Sequence, residues 1–83
     1  MRVDIVYFAW IRERIGTPRE QVETGARTVR GLVEQLISRG DRYGAALSDL
    51  SAYRVAADQE LVDFDHKIEH VREIAFFPPM TGG

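Results

Sequence analysis

Five apolar residues, Val29, Leu32, Val33, Leu36 and Ile37, fall at i, i+3, i+4, i+7 and i+8, and this stripe constrains the fold more than any other feature of the chain. The spacing puts all five on one face of a helix and leaves Arg30, Glu34, Gln35 and Arg39 outside it. Thr28 stands where an N-cap is needed, and Gly40 where a glycine would end the helix. A helix with one apolar face must lay that face on another element. With 83 residues there is room for one such core and for no second domain, so residues 1–83 read as a single unit.

The other apolar residues group as strands. In Arg2 to Ala9, β-branched and aromatic residues dominate; Val3, Ile5 and Tyr7 share one face, Val6 and Phe8 the other. Trp10 to Ile15 reads as a short helical turn, broken by Gly16-Thr17-Pro18. A weaker strand runs near Arg19 to Glu23, with Gly25 closing the connection to the helix. Asp41 to Leu50 is polar and alanine-bearing, with a short helical turn at Ala45, Ala46 and Leu47. Tyr53 to Ala57 and Glu60 to Val62 are strands around a two-residue turn at Asp58-Gln59, which lacks the usual glycine. Phe64 to Val71 is a connection, and Glu73 to Phe77 is the last strand. Pro78-Pro79 ends it, because neither residue donates a ladder hydrogen bond. The expected fold is α+β: a mixed sheet of about five strands packed on one long helix.

Several chemistries are excluded. The chain has no cysteine, hence no disulfide, thiolate metal site or cysteine nucleophile. Two lone histidines, His66 and His70, do not have metal-ligand spacing, so no metal is expected. No apolar run approaches the ~18 residues of a membrane span, and Asp4 interrupts the first apolar stretch where a signal peptide would need continuity. We therefore expect a cytoplasmic protein with no membrane partner. A net charge of −2 gives no general attraction to nucleic acid. Ten of the eleven basic residues are arginine, and Lys67 is the only lysine.

Two features point to function. The first and last strands are apolar on both faces, yet one helix covers only one of them; the other face would present Phe8 and Phe77 to a partner. The second feature is the run after the last strand. Met80-Thr81 and then Gly82-Gly83 follow the stiff Pro78-Pro79, so residues 78–83 read as a flexible tail. Backbone without side chains can thread a narrow channel, and the group it would deliver is the carboxylate of Gly83. A carboxylate becomes an acyl donor once ATP converts it to an acyl-adenylate.

The run Ile74-Ala75-Phe76-Phe77-Pro78-Pro79-Met80-Thr81-Gly82-Gly83 resembles the end of the small, sulfur-carrying subunits of molybdopterin synthase. So do Leu61-Val62-Asp63-Phe64-Asp65-His66, the opening Val6-Tyr7-Phe8-Ala9, and Arg12-Glu13-Arg14-Ile15-Gly16-Thr17. The resemblance implies a β-grasp, ubiquitin-like fold. It implies that an ATP-dependent activating enzyme adenylates Gly83 and that sulfur then replaces the adenylate as a C-terminal thiocarboxylate. Gly82, Thr81 and Met80 would thread into the large synthase subunit, whose pocket does the chemistry on a pterin precursor. It further implies a heterotetramer of two small and two large subunits, with Phe8, Leu61 and Phe77 as apolar contacts to the large subunit and to the activating enzyme. ATP would belong to that enzyme, and no cofactor would be held permanently. The sequence departs from the family at Asp58, where Asn is expected, and at Glu69 to Glu73, which replaces an acidic, glycine-containing turn. Other readings are a carrier for thiazole or cysteine synthesis, a ubiquitin-like binding module without acyl chemistry, and a small enzyme using His66.

Overall fold

The alternation in β1 (Arg2–Tyr7) puts Val3, Ile5 and Tyr7 wholly inside and leaves Asp4 and Val6 half-buried on the reverse face. The computed structural model describes residues 1–79. After β1 the chain turns into α1 (Ala9–Ile15), which buries Ile11 and Ile15 and stops at Gly16. Gly16 has φ 97°, a left-handed conformation that glycine adopts without strain, and its N–H closes the helix on the Arg12 carbonyl. β2 (Arg19–Glu23), α2 (Val29–Ile37) and α3 (Asp41–Leu47) follow, and then a 3₁₀ turn at Leu50–Ala52. β3 (Arg54–Ala57), β4 (Glu60–Val62) and β5 (Glu73–Phe77) complete the order.

The sheet has five strands in the order β2-β1-β5-β3-β4. The β1–β5 pair is parallel, and the β1–β2, β3–β5 and β3–β4 pairs are antiparallel. The last strand in sequence is thus the middle strand in space. This explains why Ile74-Ala75-Phe76-Phe77 is apolar without alternation, since a central strand is covered by neighbours on both edges and packed on at least one face.

The expected α+β fold is observed, but the single long helix is not. α2 spans nine residues, and the two seven-residue helices α1 and α3 share the task of covering the sheet. Its stripe is as expected: Val29, Leu32, Val33 and Leu36 are buried, and Ile37 packs at the edge of the core. Thr28 caps the helix, its Oγ1 accepting the Gly31 N–H at 3.1 Å. Gly40 does not end it; the cap is Ser38, and Gly40 instead opens α3, a full helix where only a turn at Ala45 to Leu47 was expected. Gly31 lies against the Ala26 side chain, where an added Cβ would come within 3.3 Å.

Aromatic residues bind the two layers. Phe76 stacks with Tyr7 at 6.1 Å between centroids and meets Tyr53 edge-on at 5.7 Å. The buried Tyr53 hydroxyl donates to the Leu47 carbonyl at 2.7 Å, which joins α3 to β3. Tyr7 reaches the other edge, where its hydroxyl and that of Tyr43 both donate to Glu20 Oε2 at 2.8 Å. Arg39 pairs with the second oxygen of Glu20 at 3.1 Å.

The Phe64–Val71 connection is part of the scaffold. The carbonyls of His66 and Phe64 accept the Val29 and Arg30 N–H groups at 3.1 and 2.7 Å. Those are orphan donors of the first turn of α2, so this loop caps the helix that precedes it in sequence. Ile68 is fully buried, and Lys67 pairs with Thr28 in an isolated bridge.

Candidate functional site

The strand register decides which side chains meet on the face that the helices leave open. Val6 aligns with Arg19 on one side and with Ala75 on the other. Ala75 aligns with Ala56, and Ala56 with Leu61. One row therefore crosses the whole sheet as Arg19, Val6, Ala75, Ala56, Leu61, all pointing away from the core. In the next row Phe77 stands opposite Arg54. The parallel register, continued one step past Tyr7–Phe76, sets Phe8 beside Phe77. The two alanines make a low floor between taller side chains at either end.

Phe8, Leu61 and Phe77, the three apolar contacts that the family resemblance implies, thus share one face. Leu61 is 66% exposed and Phe8 46%, while Phe77 is half-buried. With Met1 they include the large exposed hydrophobics among the described residues. Large apolar side chains left in water on one face of a sheet are the kind of surface that partners cover.

Local backbone geometry holds Phe8 outward. Its N–H donates to the Phe76 carbonyl at 3.1 Å, so β5 extends its pairing with β1 by one residue. Its carbonyl accepts the Ile11 N–H at 3.1 Å and starts α1. The next residue, Ala9, has φ 52°, a left-handed conformation that costs a non-glycine residue roughly 1 kcal/mol. This turn takes the chain sharply from strand to helix. Arg54 and Ala56 were not singled out from sequence. They sit on the open face only because β3 lies beside β5, and nothing local in the sequence reports that pairing. Arg54 is exposed and, with Leu61, Asp63 and Phe64, borders a shallow groove at the β4 edge.

Asp65 and His66 form no acid–base pair. The Asp65 carboxylate accepts from Arg30 Nε at 3.1 Å, and the His66 backbone is engaged at the start of α2. Trp10 packs partly against the core, with the Arg14 guanidinium 4.7 Å over its ring. Pro78 and Pro79 follow β5 as partly buried residues outside the ladder. Met80, Thr81, Gly82 and Gly83, the expected threading and reacting residues, lie outside the described residues. Among the described residues, no helix is long and apolar enough to cross a membrane.

Comparison with known proteins places these features in a family. The model of the ThiS family matches residues 5–83. A relative from Escherichia coli (strain K12), the molybdopterin synthase sulfur carrier subunit, is 38% identical over 81 residues, covering 98% of this chain and 99% of its own. Among solved structures, small archaeal modifier protein 1 of Haloferax volcanii superposes with a TM-score of 0.73 at 19% identity, over 95% of this chain and 98% of its own. A structure of subunits 1 and 2 of molybdopterin-converting factor from Helicobacter pylori 26695, solved as a protein–protein complex, gives a TM-score of 0.67 at 19% identity with full coverage of both chains. At these identities the two structures establish a shared fold.

Proposed function

The chain belongs to the ThiS family, and on that premise we propose that it is the sulfur carrier subunit of a molybdopterin synthase. The observation that carries the proposal is the extent of the match, which runs through Gly82-Gly83 and includes the residues that would react. The name of the Escherichia coli relative, at 38% identity over nearly the whole of both chains, supplies the specific role.

In this reading the protein is a reagent and the catalytic pocket belongs to its partner. A Gly83 carboxylate oxygen attacks the α-phosphorus of ATP on an activating enzyme, and pyrophosphate leaves. A sulfur nucleophile then forms a bond to the acyl carbon, the bond to AMP breaks, and a thiocarboxylate results. Met80, Thr81 and Gly82 carry that group into the large subunit, which uses the sulfur to build the dithiolene of a pterin. The open face gives both encounters a common docking surface: Phe8, Leu61 and Phe77 meet first the activating enzyme and then the large subunit. Two small and two large subunits form the working assembly, in the cytoplasm where ATP is supplied. No cofactor stays on the chain.

Intact-mass measurement tests this directly. After incubation with ATP, the activating enzyme and a sulfur source, the chain gains about 16 Da, the difference between one sulfur and one oxygen. A variant lacking Gly83, or extended beyond it, stays at its starting mass with its fold unchanged. No gain in the native chain, or an equal gain in the variant, overturns the proposal. Partner binding that survives unchanged with a blocked terminus, without any mass gain, would identify a ubiquitin-like binding module instead.

A further inference from the structure

We propose that Arg54 sets which partner the open face accepts: it requires a carboxylate on the docking surface of the large subunit, placed among the apolar groups that cover Phe77 and Leu61. The inference rests on the sulfur-carrier reading above, in which that face docks the large subunit.

The strands carry three arginines, Arg2, Arg19 and Arg54. Arg2 stands opposite Glu23, with Nε 3.4 Å from a carboxylate oxygen. Arg19 has a guanidinium nitrogen 3.9 Å from Glu73 Oε2. Each thus has a carboxylate of the same sheet within reach. Arg54 differs: among the described residues it forms no ion pair.

The acid that strand pairing would bring to Arg54 is turned away. Continued one step past Val55–Val62, the register would set Asp63 opposite Arg54. β4 ends at Val62, however, and the Asp63 carboxylate accepts the Asp65 N–H at 2.9 Å, inside its own loop. Arg54 donates instead to the Tyr53 carbonyl at 3.2 Å, a neutral partner one residue back. The groove that Arg54 borders with Leu61, Val62 and Phe64 opens here, so a side chain from outside can reach the guanidinium.

The place of this charge gives it consequence. Arg54 is exposed and stands opposite Phe77, about 5 Å away between Cα atoms. On its other side Leu61 lies diagonally across, through the Ala56–Leu61 pair. A partner surface that covers both apolar side chains therefore covers Arg54 as well. Covering strips water from the guanidinium, and only an opposite charge in good hydrogen-bond geometry offsets that loss. A guanidinium cannot escape by becoming neutral, because it stays protonated at any working pH. Its fork of donors matches a carboxylate through two parallel hydrogen bonds. A partner that presents a basic or purely apolar surface at this point is rejected, even if it fits Phe8, Leu61 and Phe77.

The test titrates the large subunit with the native chain, Arg54→Met, Arg54→Glu and Leu61→Ala, all full length, by calorimetry at about 50 and about 300 mM salt. Position 54 is exposed, so the variants keep their fold, which thermal unfolding checks. Arg54→Met keeps the length of the side chain and loses its charge. It binds at least about tenfold more weakly at low salt and responds less to salt than the native chain. Arg54→Glu sets like charges together and binds at least about tenfold more weakly again. The overturning result has the opposite sign. With no carboxylate opposite, removal of a desolvated cation tightens binding, so Arg54→Met would equal or exceed the native chain. A loss in Arg54→Met that leaves the salt dependence unchanged would report lost packing and would also overturn the inference. In both cases the carrier reading stands if the native chain binds and Leu61→Ala weakens that binding. If the native chain does not bind the large subunit, or Leu61→Ala binds as tightly, the open face is not the docking surface. The docking part of the carrier reading then falls together with the inference.

Discussion

One oxygen of the Asp58 carboxylate accepts the Glu73 N–H at 2.9 Å and the Arg72 N–H at 3.0 Å, while the Asp58 N–H donates to the Glu73 carbonyl at 2.8 Å. These bonds fasten the β3–β4 turn to the start of the central strand. Asp58 and Gln59 both have positive φ, 48° and 71°, as a two-residue hairpin loop requires, so the turn forms without its customary glycine. Asp tolerates that backbone, and its side chain compensates for the strain.

Asp58→Ala removes the acceptor and places a Cβ-bearing residue without that compensation in the left-handed region. We expect a loss of about 1–2 kcal/mol in urea unfolding. Asp58→Asn keeps both the acceptor and the tolerance and stays within about 0.5 kcal/mol of the native chain. Equal losses in the two variants would show that the clasp is not the stabilising feature.

Gln59→Gly relieves φ 71° at an exposed position. The expected gain is about 0.5–1 kcal/mol, reduced by the extra freedom glycine gives the unfolded chain. Thermal unfolding measures it as a rise in Tm; a fall in Tm would contradict the turn assignment.

Tyr7 predicts how stability responds to alkali. Burial, then its hydrogen bond to the Glu20 carboxylate and that group's charge, hold the phenol's pKa far above the ordinary tyrosine range. Burial likewise raises Tyr53. The unfolded chain releases these protons near pH ~10 while the folded chain keeps them, so the folded state binds more protons above that pH and loses stability as pH rises. Stability is therefore intact below about pH 10 and falls by up to about 1.4 kcal/mol per pH unit for each such tyrosine above it. Tyr7→Phe costs about 1–2 kcal/mol at neutral pH but has a shallower alkaline decline. An unchanged slope would refute the assignment.

The Glu20 carboxylate serves Tyr7, Tyr43 and Arg39 together. Glu20→Leu leaves the buried Tyr7 hydroxyl without an acceptor and should cost about 2–3 kcal/mol in chemical denaturation. Glu20→Gln, which keeps an acceptor oxygen, should cost about half as much. Two equal losses would mean that the charge, and not the acceptor, matters.

If the open face docks the large subunit as proposed, Leu61 separates stability from recognition. Because it is 66% exposed, Leu61→Glu should change unfolding free energy by less than about 0.5 kcal/mol. It should nonetheless weaken binding to the large subunit by about ten- to a hundredfold in titration calorimetry, the effect of placing a charge in a desolvated apolar contact. Unchanged affinity would remove the open face from the interface.

The periodic stripe of α2, its Thr28 cap, the five strands and the stop at Pro78-Pro79 were all legible in the sequence, because each is set by residues within a few positions of one another. So was the presence of a two-sided apolar strand pair, and with it the prospect that Phe8 and Phe77 face outward. Local patterns did not show that α3 forms a full helix, since its two buried residues, Ala46 and Leu47, make no long stripe and its stability comes from packing on α1 and α2. Nor did they show that the Phe64–Ile68 backbone caps a helix begun more than thirty residues earlier. Above all, the neighbours of Phe77 were settled by strand order. Composition and periodicity determine which residues leave water; only the pairing of β5 between β1 and β3 determines which ones meet, because register couples residues far apart in the chain through hydrogen bonds that carry no local sequence signal.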